Sequence, residues 1–226
     1  MKMRTLLAAN LAVLLLAGFS ARAADEATKF FARAGSKLRM EGTSNIHDWQ
    51  VESSLIGGYI EVGPKFPTEP GQAAEPGKYD AKAEPFVMVR SLKSIEKDGK
   101  PYSDRMDEVM YEHLKAQGDP RARITYKLTE LTLKEPAKSK DAPYVFEAKG
   151  DLSVGGVSKP VTMPVNILPL GDKKLKITGN ATVKMTDFNI QPPAPKIALG
   201  MIKTGDDVKI SFEWMVGQRA ATAAAK

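Results

Sequence analysis

Apolar and polar residues alternate along several stretches of this chain, and this pattern limits the folds that the chain can adopt. It is clearest at residues 144–154, 161–167, 175–185 and 208–214. Successive side chains of a β-strand point to opposite faces, so each stretch has one apolar and one polar face. Shorter alternations occur at residues 38–40, 49–55, 86–92 and 124–128. The pattern predicts an all-β fold of eight or nine antiparallel strands, either a sandwich or a closed barrel.

One segment, between residues 103 and 117, departs from the strand pattern. Its apolar residues and one histidine recur at the spacing of a helix face, at Met106, Val109, Met110, His113 and Leu114. Ser103 or Asp104 can cap the start of a helix, and Gly118 can end it. The sequence therefore predicts one short helix near residues 103–117.

Residues 63–85 are rich in proline, with prolines at positions 64, 67, 70, 76 and 85. Proline and glycine punctuate regular structure, so the segment is predicted to form a long surface loop. The strands on either side of it look too few to bury two separate cores. We therefore expect residues 24–218 to form one domain and residues 219–226 to form a flexible tail.

The first 23 residues have the pattern of a secretory signal peptide. Lys2 and Arg4 precede an apolar run at residues 6–19, and Ala21 and Ala23 give the small residues of a cleavage site after Ala23. The run is shorter than the roughly 20 residues that span a bilayer. The sequence thus predicts export to the periplasm or the medium, and a mature chain without a transmembrane segment.

Several classes of function are excluded by composition. The chain has no cysteine, which excludes disulfides, thiolate metal sites and a catalytic cysteine. Its two histidines, His47 and His113, are too few for an ordinary metal centre, so no metal and no cofactor is predicted. Loss of the signal peptide removes Lys2, Arg4 and Arg22 and lowers the formal net charge of +6 by three, so nucleic acid is not an expected partner.

Three stretches resemble the YceI-like family, the lipid- or polyisoprenoid-binding domain of exported bacterial proteins. Residues 150–162 read GDLSVGGVSKPVT, close to a hairpin motif of that family. Residues 42–49 read GTSNIHDW, similar to an early segment of the family, and the helix at 106–114 is followed by Pro120 and Ile124 as in its members. The resemblance extends from about residue 30 to residue 216.

The resemblance implies an extended, lipocalin-like antiparallel β-barrel whose apolar lumen holds a long isoprenoid chain, a quinone-like ligand or a similar lipid. It implies a non-catalytic role in carriage, storage or envelope stress, and it leaves a homodimer open. The candidate lumen residues are apolar side chains that share the inward face of predicted strands or of the helix. They are Trp49, Met88, Met106, Met110, Leu114, Phe146, Leu152, Met163, Met185, Phe188 and Phe212.

Two alternatives stay open at the level of sequence. An enzyme acting on an apolar substrate could use His47 and Asp48, although neighbouring residues of a strand point to opposite faces and rarely pair. A packed β-protein could instead act through protein contacts. Alternation identifies the residues that share a face, but it does not distinguish a face that encloses a cavity from one that forms a packed core.

Overall fold

The computed structural model describes residues 27–194 and 202–219. The signal peptide predicted at residues 1–23 and nearly all of the tail predicted at 219–226 lie outside these described residues. Within them, no helix is both long enough and apolar enough to cross a lipid bilayer.

The described residues form thirteen strands and one helix, α1 (Asp104–His113). The strands are β1 (Thr28–Ala32), β2 (Lys37–Gly42), β3 (Trp49–Ser53), β4 (Tyr59–Val62), β5 (Gly77–Tyr79), β6 (Ala81–Ala83), β7 (Phe86–Met88), β8 (Lys93–Ile95), β9 (Arg123–Glu135), β10 (Tyr144–Val154), β11 (Val157–Gly171), β12 (Lys174–Lys184) and β13 (Asp207–Gly217). Two short 3₁₀ turns lie at Val89–Ser91 and Thr186–Phe188.

The strands form a nearly closed antiparallel barrel in the order β5-β9-β10-β11-β12-β13-β1-β4-β6, with β6 lying beside β9. β13 pairs with β1 near its end, at Val216, and with β2 along its first half, at residues 209–213. The barrel therefore has two halves along its axis, one walled by β1, β4 and β6 and the other by β2, β3 and β8. The predicted all-β barrel with one helix is confirmed.

The longest strands follow the sequence pattern closely. In β10 every second residue is buried, and the residues between them are half-buried or exposed. β10 turns into β11 through Gly155 and Gly156, whose φ angles of +56° and +85° suit a two-residue hairpin between the paired residues Val154 and Val157. These positive angles explain why two successive glycines stand at this point.

The proline-rich segment differs from the predicted surface loop. It contains β5 and β6, and its Phe66 is only 2% exposed. The ring of Phe66 stacks on Phe146 of β10, with the ring centroids 5.5 Å apart. The segment is thus held down by an aromatic side chain that enters the barrel, and it adds short strands to the eight or nine that the sequence predicts.

The helix begins and ends close to its predicted limits. Ser103 is the N-cap, and its hydroxyl accepts a hydrogen bond from the Met106 N–H at 3.4 Å. The helix ends before Gly118, because Lys115 already adopts a left-handed φ of 55°. The five-residue helix face predicted from the sequence meets the interior of the barrel along most of its length.

Candidate functional site

A cavity of about 1070 Å³ lies in the half of the barrel that contains β2, β3 and β8, where β2 and β3 contribute residues to its lining. The helix α1 forms part of its boundary, and β7 and β9–β13 supply the rest of its wall. Ligand pockets of proteins range from about 300 to 1,000 Å³, so this cavity is large for a single small ligand. We call this half of the barrel the cavity half.

The other half of the barrel is packed solid, and we call it the plugged half. Its largest side chains are at most 2% exposed, and they are Phe30, Phe66, Leu133, Tyr144, Phe146, Ile167, Leu175 and Val216. Tyr79 meets Phe146 edge to face at 5.7 Å, which adds a third ring to the stacked pair Phe66 and Phe146. The apolar face of these strands therefore encloses a cavity at one end and forms a core at the other.

Nine of the eleven candidate lumen residues line the cavity. They are Trp49, Met106, Met110, Leu114, Leu152, Met163, Met185, Phe188 and Phe212. Phe146 does not, because β10 carries it into the plugged half, where it packs against Phe66. Met88 does not either, because β7 contributes only Phe86 and Val87 to the lining of the cavity.

Four aromatic rings on the cavity wall each lie across a glycine of a neighbouring segment. The pairs are Trp49 with Gly42, Phe86 with Gly57, Tyr126 with Gly150 and Phe212 with Gly179. A Cβ on Gly179 would come within 2.7 Å of Phe212 Cζ, and one on Gly150 would come within 2.6 Å of Tyr126 Cζ. Because glycine has no side chain, each aromatic ring has room to lie against the barrel wall and does not fill the lumen.

These pairs were not predicted from the sequence. Each depends on strand register, which sets Gly42 opposite Trp49 and Gly179 opposite Phe212. The sequence signal is a glycine inside an alternating strand, as at Gly150, together with an aromatic residue in another strand. Such a signal can be read only when the pairing of the strands is known.

The hydroxyl of Tyr126 reaches along the wall to the second strand from its own. It crosses Gly150 of β10 and donates a hydrogen bond to the Val161 carbonyl of β11 at 3.2 Å. Burial raises the pKa of Tyr126 well above its ordinary value, and the nearby carboxylate of Asp151 raises it further. The group therefore stays protonated at neutral pH and serves as a hydrogen-bond donor to the barrel.

His47 lies at the rim of the cavity and is exposed. Its Nδ1 is 2.9 Å from the backbone carbonyl of Asp48, and its Nε2 is 3.2 Å from the Tyr102 hydroxyl. His113 also lines the cavity, with its Nδ1 2.8 Å from the Val109 carbonyl. Within residues 27–194 and 202–219, no hydrogen bond or ion pair joins either imidazole to a carboxylate, so the arrangement lacks the oriented base of a catalytic dyad.

The helix α1 is fixed to β8 by Asp107, which is 4% exposed. The carboxylate accepts a hydrogen bond from the Ser94 N–H at 2.7 Å and pairs with the Lys93 ammonium at 2.9 Å. The hydrogen bond with Asp107 raises the pKa of Lys93, and a second one with Tyr111 adds to it. The partners of Asp107 on β8 are remote in sequence and could not be predicted from it.

Replacing Asp107 with alanine is expected to lower the free energy of unfolding by about 2–3 kcal/mol, because the buried Ser94 N–H loses its acceptor. Asp107→Asn keeps an acceptor oxygen at the same place and is expected to lose about half as much. Urea denaturation followed by circular dichroism measures both values. An alanine variant within about 0.5 kcal/mol of the wild type would show that this carboxylate does not hold the helix.

A family model described as YceI-like domain matches residues 68–216. Among solved structures, the chain is similar to a polyisoprenoid binding domain from Saccharophagus degradans, at 10% identity and a TM-score of 0.58, over 86% of this chain and 100% of that chain. It is also similar to BcnA of Burkholderia cenocepacia, at 17% identity and a TM-score of 0.53, over 80% of this chain and 95% of that chain. A search of curated protein sequences gave no match. The structural likenesses show a shared fold.

Proposed function

This chain belongs to the YceI-like domain family, and we propose that it binds one long isoprenoid or similar apolar lipid inside its barrel without catalysing a reaction. The observation that carries the proposal is the cavity of about 1070 Å³, whose wall is made mostly of apolar side chains. The similar domain from Saccharophagus degradans is described as binding polyisoprenoids, and the proposal extends that ligand class to this chain.

The physical basis of binding is the removal of apolar surface from water. Each buried CH₂ group contributes about 0.8 kcal/mol to the free energy of binding. The contributions of several isoprene units add up, and the cost of ordering the chain is subtracted from their sum. The methionines of the wall, among them Met106, Met110 and Met163, are unbranched and flexible. Such side chains adapt to the irregular outline of a methyl-branched chain.

The volume of the cavity indicates the approximate length of chain that it encloses. At roughly 30 Å³ for each non-hydrogen atom, the volume that a water molecule occupies in the liquid, 1070 Å³ holds about 35 atoms. Five carbons make one isoprene unit, so this volume corresponds to about seven units. The additional units of a longer chain, or a bulky head group such as a quinone on a chain that fills the cavity, would extend outside the cavity.

A series of isoprenoid alcohols of increasing length tests the proposal. We expect the dissociation constant to fall with every added unit up to about 35 carbon atoms and then to level off, because further units stay in water. Quenching of the fluorescence of Trp49 and Trp214, which both line the cavity, reports the binding. An affinity that does not depend on chain length, or no binding by any member of the series, would contradict the proposal.

We propose further that the protein acts outside the cytoplasm, as a carrier or store of lipid in the periplasm or in the response of the envelope to stress. The signal-peptide pattern at residues 1–23 supports this location. Amino-terminal sequencing of the protein recovered from the periplasmic fraction should begin at Ala24. Recovery of a chain that still carries residues 1–23 in the cytoplasm would contradict it.

A further inference from the structure

In the cavity half, the neighbouring strands β11 and β12 separate from each other and leave a gap in the wall. These strands pair from Val165 and Gly179 to the hairpin that joins them. Beyond that point, residues 157–164 of β11 pair with β10 alone, and residues 180–184 of β12 pair with β13 alone. The two strand ends therefore border a slit on the side of the barrel.

Two prolines explain why the pairing stops there. Continued in register, it would set Pro164 opposite Asn180 and Pro160 opposite Lys184. Backbone groups of successive residues in an antiparallel strand point alternately to the two neighbouring strands, and residues 160, 162 and 164 are those that face β12. Proline has no N–H to donate, so two of the three N–H groups that β11 would direct at β12 are missing.

The slit opens directly into the cavity. Val161 and Met163 lie on the β11 side, Ala181 and Val183 lie on the β12 side, and all four line the cavity. They are only half-buried, whereas the inward-facing residues of the paired part of these strands, such as Ile167, are buried. The two edges of the slit thus present apolar surface that β11 and β12 leave uncovered.

A short turn at residues 185–190 lies against the slit. It contacts β11 and β12, and its Phe188 and Ile190 are 2% and 7% exposed and line the cavity. Two hydrogen bonds within the turn run from the N–H groups of Phe188 and Ile190 to the Met185 carbonyl, at 3.0 and 3.1 Å. In the part of the chain that the structure describes, no hydrogen bond connects the turn to β11.

The turn is instead fixed on the opposite side. Thr186 donates hydrogen bonds to the Asp206 carboxylate from its N–H at 2.9 Å and from its hydroxyl at 2.7 Å. The Met185 N–H donates to the Asp206 carbonyl at 2.9 Å. A segment that is hydrogen-bonded along one edge and only packed along the other can swing on the bonded edge.

We propose that the slit between residues 157–164 of β11 and residues 180–184 of β12 is a lateral portal for the lipid chain, and that the turn at 185–190 is its gate. The inference rests on the proposed function, since a portal needs a ligand. The lipid chain enters sideways, between the apolar edges of the slit, while Phe188 moves away from β11. Phe188 returns to its place once the lipid chain has passed. Lateral passage spares a long chain from threading end-on past the polar rim at His47 and Tyr102.

A reversible cross-link across the slit tests the portal. The sequence has no cysteine, so Met163→Cys with Ala181→Cys gives a single pair of thiols, one on each edge of the slit. We expect the oxidised form to take up and release a polyprenol at least about tenfold more slowly than the reduced form of the same protein, and reduction to restore both rates. Stopped-flow tryptophan fluorescence measures the rates, and mass spectrometry confirms the disulfide.

A matched control places the same kind of cross-link between the next pair of strands, β12 and β13. Thr182→Cys with Lys209→Cys joins exposed residues of β12 and β13 that are already paired, so oxidation should change the rates less than about twofold. Phe188→Ala, which removes the ring of the gate, should speed release. Unchanged rates in the oxidised Met163 and Ala181 pair, or unchanged release from the Phe188→Ala variant, would overturn the portal while lipid binding stood. A wild-type protein that binds no polyprenol would overturn the proposed function instead.

Discussion

Replacing Gly179 with alanine is expected to weaken lipid binding about tenfold or more while the barrel still folds. The backbone at Gly179 lies outside the left-handed region, so alanine is compatible with its conformation. The new Cβ would come within 2.7 Å of Phe212 Cζ and 3.0 Å of Val165 Cγ1. The ring must then leave the wall and enter the cavity, and overpacking of this kind costs about 1–3 kcal/mol. Titration with a polyprenol measures the loss.

The double variant Gly179→Ala with Phe212→Ala is the matched control. Removal of the ring relieves the contacts with Phe212 and leaves only the one with Val165 Cγ1 at 3.0 Å, so the double variant should bind about as tightly as Phe212→Ala alone. Such non-additivity is the signature of two residues that act through one contact. Wild-type affinity in the Gly179→Ala variant, or further loss in the double variant, would show that the ring does not need the glycine to keep the lumen open.

Phe146→Ala is expected to lower the free energy of unfolding by about 3–5 kcal/mol, the largest effect on stability that we predict. Phe146 is 0% exposed and packs between Phe66 and Tyr79. Truncation leaves a hole in a region where the surrounding side chains are already close-packed. Urea denaturation measures the change.

The comparison variant is Phe212→Ala, which removes the same ring from the cavity wall. Phe212 already borders open space and is only half-buried, so its loss should cost less than half as much. Equal costs for the two substitutions would contradict the division of the barrel into a plugged half and a cavity half. That division decides which apolar residues stabilise the fold and which are left to meet a ligand.

The long strands could be predicted because the alternation of apolar and polar side chains indicates which face of each strand is buried. In β10, the alternation at residues 144–154 identified the inward face without any knowledge of its partners. The helix could be predicted for a similar reason, as its apolar spacing and the cap at Ser103 are both local. Signals of this kind lie within a few residues of each other along the chain.

The site depended on pairings that are remote in sequence. Phe146 and Leu152 share a face of one strand, yet the first packs against Phe66 and the second lines the cavity. What separates them is the proline-rich segment, which carries Phe66 into the plugged half from eighty residues upstream. The ion pair of Asp107 and Lys93 is likewise formed only when the helix meets β8.

Native mass spectrometry of the purified protein tests most directly whether the cavity holds a lipid. We expect each chain to carry one non-covalent isoprenoid or similar apolar lipid, organic solvent to remove it, and added polyprenol to restore a single adduct per chain. A protein that emerges at its bare mass and takes up no polyprenol at concentrations well above those of the protein would contradict it.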